Sequence, residues 1–304
     1  MNNNIICTCS KDGYIHFFNL NNANTNGKYI LSKKGHVNEI KSVDNMKNTT
    51  NKFVTCDAEV FKLWILNLKK NNYTIECETV FKNESNADLK FLYVLNNSNS
   101  ISFANNNNDV IILNTFYKVF FKVNFGDNSI RVLYQIKSED DNCGKFIIGT
   151  DENIILFQVI GKVDYIGNIK CGCFYGKTLY YMGNNILIVG DNNNVYLINI
   201  KNLQLEYTFK FRNAESSCFL KFNDMILYAY GDTSNCGVWS NGIACSKKTK
   251  FGVIKKNKEK YDSFLISDEF YNCGIADALW LDSNKFINCF YDDDNLKIFE
   301  IKKK

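Results

Sequence analysis

The sequence predicts an all-β protein, a seven-bladed β-propeller of the WD40 type, and three observations carry that expectation. Helical periodicity is nearly absent. Short β-branched runs such as 109–113 (DVIIL) and 185–189 (NILIV) are bounded instead by Asn or Gly. A unit recurs along the chain: an apolar strand, a polar turn holding Asp or Asn, then a second apolar strand. Seven such units share 304 residues, about 43 each, within the roughly 40–45 residue period of WD repeats. Four-stranded sheets set radially bury both faces of their central strands and leave only short edges, so the period has a physical solution.

The units follow in order. The first is 5–20, with the turn Ser10-Lys11-Asp12-Gly13. The second runs from 52 through Asp57 to Phe61-Lys62-Leu63-Trp64. Further copies are 100–114, 145–159, 186–200, 225–239 and 285–301. The expectation is a single domain over 1–304, with blades at roughly 1–34, 35–84, 85–126, 127–168, 169–211, 212–250 and 270–304. A strong WD repeat places Gly-His before the first strand, Ser or Thr on the second, Asp in the next turn and Trp on the third. Gly35-His36, Thr55, Asp57 and Trp64 come closest, with Asp57 displaced by one position, and they form the expected blade-locking tetrad. Elsewhere Phe18, Leu113, Phe157, Ile198 and Phe299 stand at the Trp position, so those blades rely on apolar packing.

Composition narrows the functional classes. The chain is 45% hydrophobic and 22% charged, enough apolar content for a packed core. Its net charge is +4, carried almost wholly by lysine, with Arg131 and Arg212 the only arginines. That balance does not mark a general nucleic-acid binder and leaves room for a local basic patch. No apolar run approaches a membrane span, and the first residues lack the pattern of a secretory signal. Twelve cysteines in so long a chain read as reduced, buried thiols. There is no proline, and asparagine runs such as 105–108 and 192–194 are expected to supply the turns.

The order of irregular features carries a resemblance. A long connection, 21–34, follows the first unit and leads into Gly35-His36-Val37. Asn114-Thr115 follows the third unit's strand, and an insertion, 247–272, precedes the last unit. This ordered set resembles the receptor for activated C kinase family, the Gβ-like scaffold of the small ribosomal subunit. The resemblance spans nearly the whole chain and rests on the order of these features. It implies a cytoplasmic, ribosome-bound, non-catalytic scaffold near the mRNA exit. Its implied partners are small-subunit rRNA and ribosomal proteins, together with signalling proteins; no cofactor, metal, membrane span or small-molecule substrate is implied. In that family a basic-Asp-basic triplet in the first turn grips rRNA. The matching residues here are Lys11, Asp12 and Gly13, so the second base is lost. Lys33 and Lys34 are placed to compensate. The chain also enters the first unit at its second strand, which implies an incomplete closure at the termini.

Each candidate has a plainer alternative. Lys11, Lys33 and Lys34 are either phosphate contacts that position without reading sequence or solvated lysines. The run Lys247, Lys248, Lys250, Lys255 and Lys256 lies on the insertion, as a solvated loop or a partner-binding site. His16 sits among strand aromatics as a core or surface residue. Asp292-Asp293-Asp294 lacks the Gly and terminal Glu of a calcium loop and reads as an exposed turn. Two histidines without a CxxC pair give no zinc spacing, and no GxSxG, Walker or Rossmann motif is present. The alternative function keeps the propeller and places it in another intracellular complex, such as a vesicle coat, nuclear pore or kinase complex.

Overall fold

A computed structural model describes residues 5–19, 29–46, 49–69, 72–82, 87–94, 100–113, 118–127, 129–136, 144–160, 162–170, 179–190, 194–210, 214–222, 225–232, 237–239, 242–244, 248–257, 260–267, 275–280, 285–290 and 293–300. Among them there is no helix, and the strands of the first, second, third, fifth, sixth and last sheets pair antiparallel.

The first sheet holds β1 (Ile5–Cys9), β2 (Tyr14–Asn19) and β3 (Leu31–Lys34). The second holds β4 (Ser42–Asn45), β5 (Lys52–Cys56), β6 (Val60–Lys69) and β7 (Asn72–Lys82). The third holds β8 (Leu89–Val94), β9 (Ile101–Asn105), β10 (Asp109–Leu113) and β11 (Val119–Asn124). The fourth holds β12 (Ile130–Ile136), β13 (Gly144–Thr150), β14 (Asn153–Ile160) and β15 (Lys162–Lys170). The fifth holds β16 (Leu179–Gly183), β17 (Ile186–Gly190), β18 (Asn194–Asn199) and β19 (Gln204–Lys210). The sixth begins with β20 (Ala214–Phe222) and β21 (Met225–Asp232). A small separate hairpin follows, β22 (Gly237–Trp239) with β23 (Gly242–Ala244). The sixth sheet then resumes with β24 (Lys248–Asn257) and β25 (Lys260–Ser267). The last sheet holds β26 (Ile275–Trp280), β27 (Lys285–Phe290) and β28 (Asp293–Glu300).

The chain divides into two compact units, Met1–Ile148 with Ile155–Ile166, and Gly149–Ile154 with Gly167–Lys304. In the first, strand alternation sends successive residues to opposite neighbours. Phe53, Trp64 and Leu66 pack toward Ile15 and Phe17 of the first sheet. Val54, Cys56, Phe61 and Leu63, on the same two strands, pack toward Leu89, Ile101 and Phe103 of the third. The third sheet repeats the device. Ile111 and Leu113 face back, while Ala104, Val110 and Ile112 pack with Ile130, Phe146 and Phe157 of the fourth. The first strands of consecutive sheets lie together, β4 by β8 and β8 by β12. In the second unit Ile188, Leu197 and Phe209 pack with Phe219, Ile226, Tyr228 and Ile254. There β16 lies by β20 and β20 by β26. Sheets stacked face to face, with their first strands adjacent, are consistent with a β-propeller-like fold.

The sixth sheet departs from the sequence reading. The partner of β21 is not the Val238-Trp239 segment but β24, in register from Met225↔Lys255 to Asp232↔Lys248. The sheet therefore reaches Ser267, past the expected boundary at 250. The interruption is the short hairpin of β22 and β23, and most of the lysine-rich stretch is strand rather than loop. The reason is ladder length: β21 offers eight residues for pairing, and three-residue β22 cannot satisfy them.

Candidate functional site: a buried polar relay and a basic turn

The turn joining β1 to β2 is built by Ser10, Asp12 and Gly13. Ser10 Oγ donates to Asp12 Oδ1, and the Tyr14 N–H reaches Ser10 Oγ at 3.2 Å and Asp12 Oδ1 at 3.3 Å. The Ser10 hydroxyl holds the Asp12 carboxyl below its usual range against the opposing effect of burial, with a further contribution from the backbone N–H of Tyr14. Gly13 has φ +84°, and its carbonyl accepts from the N–H groups of Gly35 (2.9 Å) and His36 (3.1 Å). A Cβ at Gly13 would stand 2.3 Å from the His36 carbonyl oxygen. The position lost to the basic triplet is thus one that this backbone closes to any side chain.

That contact anchors the strand-entry segment holding His36, and from His36 a buried polar relay crosses the second sheet. Thr55, His36, Asp57 and Trp64 are all nearly inaccessible. Trp64 Nε1–H donates to Thr55 Oγ1 at 2.7 Å, and Thr55 Oγ1 lies 2.6 Å from His36 Nε2. His36 Nδ1 stands 3.1 Å from Asp57 Oδ2, close enough for charge–dipole attraction though outside linear hydrogen-bond geometry. Only one proton arrangement suits every member. The Thr55 hydroxyl donates to Nε2, and Nδ1 carries the ring proton toward the carboxylate; the other tautomer would set a bare lone pair against Asp57. Burial holds the His36 pKa below its ordinary value, and the attraction of Asp57 offsets this only in part, so the ring is neutral at pH 7. Asp57 Oδ1 meanwhile accepts from the N–H groups of Glu59 (2.9 Å) and Val60 (2.8 Å), closing the turn before β6. Phe53 stacks on Trp64 at 6.4 Å. Lys62 Nζ lies 5.8 Å from the indole and donates to the Gly35 carbonyl at 2.6 Å.

The candidate basic residues separate. Lys11 is exposed on the turn. Lys34 pairs across the strands with Tyr14 and lays its ammonium 5.8 Å from that ring. Lys33, the preceding residue on β3, points to the opposite face, where its ammonium donates to the Ile75 carbonyl at 3.5 Å. The structure thus sets Lys33 apart from Lys34. His16 stacks on Tyr14 at 5.9 Å and lies 5.2 Å from Tyr29. Lys248, Lys250, Lys255 and Lys256 lie along β24, with Lys255 and Lys256 exposed and Lys256 5.5 Å from the Tyr261 ring. Lys247 falls outside the described residues, as do Asp292 and the Cys171–Cys173 pair. Cys7, Cys9 and Cys56 carry free thiols. Burial pushes the Cys56 thiol up to about 12. Among the described residues no group of three or more His, Cys, Asp or Glu side chains is arranged to hold a metal.

Sequence reasoning missed two polar anchors. Buried Asn105 accepts from the N–H groups of Asn107 and Asp109, each at 3.0 Å, and donates to Asp109 Oδ2 at 3.1 Å. Asp109 also takes Asn124 Nδ2 at 2.8 Å and Lys122 Nζ at 3.1 Å. Burial alone would raise its carboxyl, but the hydrogen bonds of Asn124, Asn105 and Lys122 outweigh burial and hold it below the usual range. Thr150 Oγ1 accepts from the Asn153 N–H at 3.0 Å and donates to the Asn153 carbonyl at 3.1 Å. Ser10, Asp57, Asn105 and Thr150 therefore share one role, in which a side-chain oxygen closes the turn after β1, β5, β9 and β13. The chemical class varies from hydroxyl to carboxylate to amide, so no single residue type marks the position. The signal that could have found it is their near-even spacing along the chain.

No protein-family model matches the chain, and a search of curated proteins returns no match.

Proposed function

We propose that this chain is a non-catalytic, seven-bladed WD40-type β-propeller scaffold that docks on the small ribosomal subunit. The observation that carries the scaffold reading is the closed relay Trp64–Thr55–His36–Asp57. Every polar member of it is buried and engaged within the sheet, so the site locks a blade instead of presenting reactive groups. The recurrence of one turn-closing position in four consecutive sheets supports a repeat of common descent.

The ribosomal partner follows from the resemblance, and the residues that serve it are Lys11 and Lys34 at one end of the first sheet. Lysine meets phosphate as a point charge, without the bidentate fork of arginine, so the contact positions the protein on rRNA and is sensitive to salt. Lys33 contributes less, because its ammonium is turned to the Ile75 carbonyl.

One observation favours a second reading. The backbone at Gly13 admits no side chain, so the paired basic grip of the family is reduced to Lys11 alone. A scaffold of another intracellular assembly, such as a vesicle coat, nuclear pore or kinase complex, needs no such grip. A sucrose gradient of cell lysate separates the two. The ribosomal reading expects co-migration with small subunits at moderate salt, and a several-fold loss for Lys11→Glu that is largest at low salt and shrinks as salt is raised. Migration with a coat or pore assembly, unaffected by Lys11→Glu, overturns it.

A further inference from the structure

The first sheet contains a strand whose composition belongs at the centre of a sheet but whose position, among the described residues, is at an edge. The turn-closing residues fix the equivalence. Ser10 and Asp57 directly follow β1 and β5, and Asn105 and Thr150 are the last residues of β9 and β13. In the second and third sheets the equivalent of β1 has a strand on each side, β4 and β6 about β5, and β8 and β10 about β9. β1 pairs with β2 alone among the described residues.

Burial records the difference. The five residues of β9 and the five of β17, second strand of its own sheet, are all buried, and so are four of the five in β5. In β1 none is fully buried, although its sequence, Ile5-Ile6-Cys7-Thr8-Cys9, is as apolar and β-branched as theirs. Strands that close a sheet are normally blunted by charge. β15 carries Lys162, Asp164 and Lys170, β19 carries Glu206 and Lys210, and β25 carries Lys260 and Asp262. β1 carries no charge, no proline and no bulge in its pairing with β2.

We infer that the outer edge of β1 is a docking site for an extended, predominantly apolar segment of another polypeptide, which adds as an antiparallel fourth strand. Antiparallel addition follows from the first strands of the other sheets, β4, β8, β16 and β20, all of which pair that way. Recognition is by main-chain hydrogen bonds, with alternate side chains settling among those of β1. The occupant is assigned to another chain because the segments outside the described residues that adjoin the first sheet, 1–4 (MNNN) and 20–28 (LNNANTNGK), are asparagine-rich and hold no strand-like apolar run. The inference rests on strand equivalence and holds whether or not the ribosome is the partner.

The test is amide hydrogen exchange on the purified full chain, with and without a synthetic peptide of the β8 sequence, LKFLYV, flanked by lysines for solubility. That sequence fills the corresponding position in the third sheet. Without peptide, the amides of β1 are expected to exchange about tenfold or more faster than those of β9. Peptide should slow β1 exchange by about tenfold and leave β9 unchanged. A peptide carrying Phe91→Pro, which lacks the central donor, should not protect. If β1 is already as protected as β9 in the purified chain, a segment of the chain itself fills the position and the inference is overturned. Failure of the unmodified peptide to protect β1, or equal protection by the proline variant, overturns it as well.

Discussion

At the scale of single residues, Gly13 and His36 carry the most information. Gly13 looks from sequence like the loss of a basic contact, yet its φ of +84° and the 2.3 Å approach of the His36 carbonyl make it a structural requirement. Restoring the base with Gly13→Arg should therefore weaken the protein, by about 2–4 kcal/mol, rather than strengthen anion binding. Urea denaturation of the variant measures this, and an unchanged midpoint would remove the steric account. His36 makes a pH prediction whose sign follows from its lowered pKa. The unfolded histidine titrates near 6.5 and the folded one lower, so the unfolded state binds the extra proton first as pH falls. The stability due to a neutral His36 is complete above pH 6.5 and is lost as pH drops through that value toward the folded pKa. Denaturation midpoints should fall between about pH 7 and pH 5.5, and the fall should be shallower in His36→Gln. A flat profile in the parent protein would contradict the buried neutral ring.

At the scale of elements, the asparagines bear out a physical expectation. Asn108, Asn184 and Asn185 take positive φ in turns between strands, the conformation that glycine usually provides. The sixth sheet shows where local pattern misleads. Val238-Trp239 resembles a third strand, but β21 needs a partner of its own length and finds it at Lys248–Asn257. A lysine-rich run reads as a solvated loop because charge usually marks one. Here Val253 is half-buried and Ile254 buried between those lysines, and they hold the strand in the core. Native-state trypsin digestion should accordingly spare Lys255 and Lys256 relative to Lys11, which stands exposed on a turn. Early cleavage at Lys255 or Lys256 would contradict the strand assignment.

At the scale of the whole molecule, a net charge of only +4 makes any anionic partner a matter of local placement. Salt sensitivity of the proposed small-subunit association should therefore track Lys11 and Lys34, not the charge total. Sedimentation of Lys11→Glu and Lys34→Glu across a salt series checks this, and an unaltered salt dependence in both variants would count against it.

The sequence by itself determined the all-β class, the recurrence of strand–turn–strand units and the four members of the buried relay. These rest on short-range patterns: alternation with a period of two, turn residues at fixed offsets, and Gly-His, Thr, Asp and Trp spaced along one unit. Tertiary structure showed that Asn105 and Thr150 close turns as Ser10 and Asp57 do, a role that residue type does not mark because a carboxylate, an amide and a hydroxyl can all accept the same N–H. It decided that Lys33 and Lys34 part to opposite faces, that β24 rather than Val238-Trp239 completes the sixth sheet, and that β1, among the described residues, lies at an edge despite its central-strand sequence. Strand pairing joins residues far apart in the chain through backbone groups that every residue shares, so side-chain identity alone cannot specify which strands meet.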